Sequence, residues 1–176
     1  HAYSVLPLVE AAFKGVSQVF LVENTASGII MVLAIAISSP IASAAALGGS
    51  AVATALAVGL GAPPEMVYAG LLGYNASLTA LCVCGMFFVI SWRVIGLTLM
   101  SVMLCLVASA GVAAGFAPVG LPALTFPFVL VTWIFVLIGP SLDNKLFVPL
   151  ELGTSHCQAA GYRPLLILCV VILYWS

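Results

Sequence analysis

Long apolar runs cut by prolines and glycines organise this chain, not an alternation of apolar and polar positions. Residues 94–142 hold no Asp, Glu, Lys or Arg. The first part, 94–115, predicts a helix able to cross a bilayer, which takes about 20 apolar residues. The last part, 129–138, predicts a half-helix. Between them lies Gly120-Leu121-Pro122-Ala123-Leu124-Thr125-Phe126-Pro127-Phe128. A proline lacks the N–H and clashes with the carbonyl four residues back, and it pushes its predecessor out of helical angles. Two prolines behind a glycine therefore open the backbone here. Opened backbone at membrane depth survives where protein buries it or where it lines a watery cavity. Two readings stand: a narrow pore with the Thr125 hydroxyl between apolar walls, or a proline-kinked packing turn.

The same pattern runs upstream. In residues 1–22, Glu10, Lys14 and Gln18 recur at i, i+4, i+8 and share a helix face. Glu10 precedes Lys14 in the favourable order for an ion pair, and this face reads as interfacial. Gln18 leads into an apolar run, where an amide can donate and accept without burying a charge. Residues 23–28 predict a turn, with Asn24, Thr25 or Ser27 as the cap of the next helix. Residues 28–39 are short for a span and end at Ser38-Ser39-Pro40; residues 41–59 can cross, and their small side chains permit tight helix contact. Residues 61–65 are a loop. Residues 66–92 are uncharged and long enough to cross, but Gly70 and Gly73 predict that the helix is interrupted or closely approached just before Asn75. Asn75 is costly in hydrocarbon unless bonded. It is either a satisfied helix–helix hydrogen bond or the holder of irregular backbone beside a pore. The glycosylation sequon it forms with Ser77 lies inside an apolar span and is not read as one. Ser91-Trp92-Arg93 marks an interface. Residues 139–145 predict a polar loop, and residues 146–163, with His156-Cys157, an extramembrane surface.

Composition confirms the environment. The chain has 176 residues, 64% of them hydrophobic and 5% charged, with mean hydropathy +1.32. Nine charges cannot cover a soluble domain, which carries about 25% charge. The class is all-α integral membrane. A net charge of −1 argues against nucleic acid. Cys82-Val83-Cys84 lacks zinc spacing, so neither a metal site nor a disulfide framework is expected. The few lysines and arginines leave orientation open. No paired carboxylates or His–Cys arrangement lies in the apolar runs, which argues against a membrane-embedded enzyme.

Several motifs in order then resemble one family. Residues 121–128 resemble the Leu-Pro-x-x-Thr-x-Pro-Phe signature of urea transporters. Gly15-Val16-Ser17-Gln18-Val19 is similar to the segment opening each half of those proteins, and Gly73-Tyr74-Asn75 to another hallmark. Ser38-Ser39-Pro40 and Gly85-Met86-Phe87-Phe88-Val89-Ile90-Ser91-Trp92 resemble the second half of animal members. The likeness covers roughly residues 10–150. It implies one half-repeat of an inverted-repeat, channel-like transporter, with about five transmembrane helices plus short re-entrant half-helices. Residues 1–150 would form that half-repeat, and residues 151–176 an extramembrane loop and a truncated apolar tail.

The function implied is passive, facilitated permeation of urea, with no cofactor and no catalytic residue. Gln18 would sit at a pore mouth. Val19 and Leu21 would wall a slot, Tyr74 and Leu78 would face it, Asn75 would stand beside it and Thr125 would line the middle. Leu121, Pro122, Pro127 and Phe128 would shape the loop. The implied partners are urea, the lipid bilayer and a missing half-repeat or second copy. Complete protomers would form a homotrimer, with the plasma membrane as location. Two departures stand out: Leu21 where an aromatic is often found, and Tyr74 where phenylalanine is common. His1 and the short terminal run predict a fragment of a longer protein. The alternatives are an ion-coupled or other small-solute transporter, and a piece that does not conduct alone.

Overall fold

The computed structural model describes residues 5–87 and 91–142. The expected surface at 146–163, His156-Cys157, the tail and residues 143–145 of the expected polar loop lie outside these residues. Every regular element among the described residues is helical. In chain order they are α1 (Val5–Ser17), a 3-10 turn (Gln18–Phe20), α2 (Thr25–Ser38), α3 (Pro40–Gly59), α4 (Pro64–Tyr68), α5 (Tyr74–Cys82), a π turn (Val83–Phe87), α6 (Trp92–Phe116), a 3-10 turn (Ala117–Val119) and α7 (Phe126–Leu142).

The boundaries follow from local chemistry. Asn24 caps α2, its Oδ1 accepting from Ala26 N at 2.8 Å. Ser39 caps α3 by accepting from Ala42 N, and Pro40 occupies the first turn, where no N–H partner is needed. Ser91 caps α6 in the same way through Val94 N. Gly120, at φ 70°, closes the turn after α6 in a conformation that glycine adopts freely.

Two helices, α3 and α6 with its terminal turn, are each long and apolar enough to cross a membrane. Helices α1 and α2 pass that test only together, and they bend by 76° at residues 21–24. The described residues thus hold two such spans, or three if the bent pair counts as one, against the five expected. Much of the difference lies at residues 66–92. Of these, residues 66–87 do not form one crossing helix but break into the end of α4, a turn at 69–73, α5 and the π turn. The interruption predicted from Gly70 and Gly73 dominates the length of the run. Helix α7 runs on to Leu142, four residues beyond the expected half-helix, through Gly139 and Pro140.

Small residues set the packing. Ala42, Ala46, Gly49, Ala53 and Ala57 form a buried stripe on α3. A Cβ on Gly49 would collide with Ala76 and Ala80 of α5. Between apolar helices in lipid such close approach yields van der Waals contact that larger side chains prevent. A second contact joins α1 to the turn before α5. Gly15, Gly73 and Ser50 meet there, and Ser50 Oγ donates to Ala12 O at 2.8 Å. The core cluster above comprises Ala42, Ala46, Leu78, Leu81, Cys82, Cys105, Phe128 and Val131. It brings α3, α5, α6 and α7 together.

Candidate functional site

Two breaks in the helices face one short segment. The first follows α1. Ser17 Oγ lies 2.6 Å from Val22 O and 3.0 Å from Lys14 O, so the chain turns sharply after Gln18. Leu21 closes this turn with φ 57° and ψ 30°, its N–H donating to Gln18 O. A left-handed leucine costs on the order of 1–2 kcal/mol. Lys14 pairs with Glu23 at 3.6 Å, not with Glu10 as the helical spacing predicted. The turn carries Glu23 back over the last turn of α1, within reach of the ammonium, while Glu10 stays exposed.

The second break is the proline stretch, and it is open as predicted. After Gly120 the backbone is irregular until α7 begins at Phe126. Leu124 has φ 42°. A turn from Ala123 to Phe126 leads into α7, with Val129 N donating to Thr125 O. The rings of Phe116 and Phe126 lie 6.0 Å apart and pin the end of α6 to the start of α7.

Residues 69–75 hold both breaks. Gln18 is buried, and its Nε2 donates to Ala69 O at 3.0 Å. Tyr74 Oη donates to Leu124 O at 2.7 Å, and Asn75 Nδ2 donates to the same oxygen at 3.1 Å. A carbonyl oxygen has two lone pairs. Leu124 O therefore has both engaged and serves to fix the loop. Asn75 Nδ2 also reaches Ser109 Oγ of α6 at 3.4 Å. Thr79, one turn along α5, donates to Asn75 O at 2.8 Å and lies 3.2 Å from Cys105 Sγ. Asn75 thus bonds across helices to Ser109 of α6 and restrains the irregular backbone at Leu124.

The candidate residues separate into three groups. Gln18, Tyr74 and Asn75 supply the hydrogen bonds just described. Val19, Leu78 and Phe128 pack in or against one apolar cluster, and Pro127 is fully buried beside it in sequence. Leu21, Leu121 and Pro122 are exposed, and Thr125 is half-buried at the edge of the open stretch. No side-chain pattern marked Ser109, or the carbonyls of Ala69 and Leu124. Carbonyls are present at every position, and only tertiary contact singles two of them out.

Among the described residues no ionisable carboxylate or ammonium is buried. Glu10, Glu65 and Arg93 are exposed, Glu23 is half-exposed and Lys14 is partly so.

The chain is similar throughout most of its length to known transport proteins. A family model described as urea transporter matches residues 2–140. Urea transporter 1 of Ovis aries is 34% identical over 148 residues, covering 84% of this chain and 38% of the relative. Urea transporter 1 of Mus musculus matches at the same identity and coverage. The chain therefore spans well under half the length of these curated relatives.

Proposed function

Since this chain belongs to the urea transporter family, a family of transport proteins and not of enzymes, we propose that it forms one half-repeat of a channel passing urea across a membrane. The observation that carries the reading is the double restraint on Leu124 O by Tyr74 and Asn75. It holds an open, proline-bounded loop in a fixed shape with Thr125 at its edge. A packing turn would need no such clamp from a neighbouring helix.

The chemistry is coherent. Urea is flat, neutral and rich in donors and acceptors. A slot with apolar walls admits a plate but excludes an ion, whose water is too costly to strip without compensating ligands. The Thr125 hydroxyl and nearby backbone oxygens would replace urea's water bonds in turn, weakly enough for release. The absence of buried charge among the described residues favours uncoupled flow of a neutral solute over ion coupling.

At both breaks apolar side chains are exposed: Phe20, Leu21 and Val22 at the first, and Leu121, Leu124 and Phe126 at the second. In this reading a second half-repeat of inverted topology, or a second copy, covers them and completes the slot. Gln18 lies at the mouth, Val19 and Leu21 wall one side, and Tyr74 and Leu78 the other. Complete protomers assemble as trimers in the plasma membrane.

The test is urea influx into liposomes carrying this chain and, separately, the longer protein in which two half-repeats are joined, each with and without Thr125→Val. Conduction by the longer protein that slows with Thr125→Val supports the channel. Conduction by the chain alone means that two copies make the pore. No urea flux in either overturns the substrate and brings ion-coupled transport forward.

A further inference from the structure

The amide of Asn75 has a fixed orientation with an unexpected consequence. Its neighbour Leu124 O can only accept, so the nitrogen must face it. Ser109 spends its hydroxyl proton on Cys105 O at 2.8 Å, so it too accepts from Asn75 Nδ2. Both amide protons are then engaged, and Oδ1 points away from both partners. Asn75 is only 3% exposed, and Oδ1 is buried with no donor reaching it among the described residues. The side-chain donors nearby are committed elsewhere: Tyr74 to Leu124 O, Thr79 to Asn75 O and Ser109 to Cys105 O. An amide acceptor in the membrane interior does not stay unmet without cost.

We propose that Asn75 Oδ1 is a binding point for a small neutral donor. The donor is an O–H or N–H of a resident water or of the permeating amide, held at the buried Oδ1 of Asn75 in the first turn of α5. A cation is disfavoured, because no ionised side chain is buried nearby to balance it. The amide source rests on the permeation reading above; the water source does not.

The test uses magic-angle-spinning NMR on the chain in liposomes, with asparagine labelled by carbon-13 and nitrogen-15. Asn24→Ser, which keeps a helix cap, and Asn144→Ser leave Asn75 as the one labelled side chain. Magnetisation transfer from water to the Asn75 side chain identifies a resident water. A saturable downfield shift of the Asn75 Cγ signal on adding urea identifies the amide. Either result supports the site. Neither signal overturns it and assigns Oδ1 to a protein donor outside the described residues. If neither this chain nor the longer protein passes urea while water transfer persists, the permeation reading falls and the binding point stands. If urea passes while Asn75 shows neither signal, the reverse holds.

Discussion

The Tyr74 hydroxyl stands 2.7 Å from the carbonyl oxygen of Leu124, across 50 positions of sequence. That oxygen also accepts from Asn75, the next residue in α5. Two adjacent side chains thus converge on one backbone atom of the proline loop. Tyr74 is one of the two departures from the family pattern, and its hydroxyl bonds to the loop itself.

Because they share an acceptor, Tyr74 and Asn75 should not act independently. Tyr74→Phe should cost about 0.5–1.5 kcal/mol, leaving Asn75 to hold the carbonyl. Asn75→Leu should cost more, since it also strips the partner of Ser109. The double variant should differ from the sum by about 0.5 kcal/mol or more. Thermal unfolding in detergent across the four proteins measures this. Strict additivity would mean that the two bonds do not cooperate on the loop.

Gly28→Ala should disrupt the bend between α1 and α2. A Cβ there would run into the Phe13 carbonyl, which is backbone and cannot swing aside. Gly70→Ala meets both a left-handed φ of 76° and the backbone at Lys14 and Gly15. Each should cost about 2 kcal/mol or more, Gly28→Ala from the clash alone and Gly70→Ala also from strain of about 1–3 kcal/mol for the left-handed conformation. Gly59→Ala, at a helical position with open space around it, is the control and should be neutral or stabilising. Equal melting temperatures for all three would contradict the close approach.

Gln18→Glu should weaken the first break, although the two side chains have the same shape. The carboxylate cannot donate to Ala69 O and would set two acceptors against each other. A loss of about 1–3 kcal/mol is expected. Gln18→Met, which removes both polar groups, should be tolerated better for stability. Chemical-denaturant or thermal melts rank the pair; a better-tolerated glutamate would mean that Gln18 faces solvent.

Glu23→Gln should matter little. The Lys14 pair is 3.6 Å long and its glutamate side chain is 55% exposed. Exposed ion pairs contribute about 0–1 kcal/mol and are screened by salt. Melting curves of wild type and variant should nearly coincide, and more closely still in high salt.

Much of this protein was legible in its sequence for simple reasons. Nine charges in 176 residues require a bilayer, and α3 and α6 follow from run length. The break at 120–125 follows from proline, which has no N–H to give at any tertiary cost. The cap at Asn24, one of three candidates, is local too. Family membership was visible in ordered motifs, since such motifs are one-dimensional. What the tertiary structure decided was pairing. Lys14 chose Glu23 over Glu10 because a sharp turn brought a distant residue nearer than the next helical turn. Residues 66–87 broke into short helices because Gly70 and Gly73 press against α1, where a continuous helix does not fit. Gln18 turned inward to Ala69, and Tyr74 and Asn75 found Leu124, because those acceptors are backbone carbonyls. Every residue carries one, so no side-chain pattern distinguishes the one that folding will place within reach.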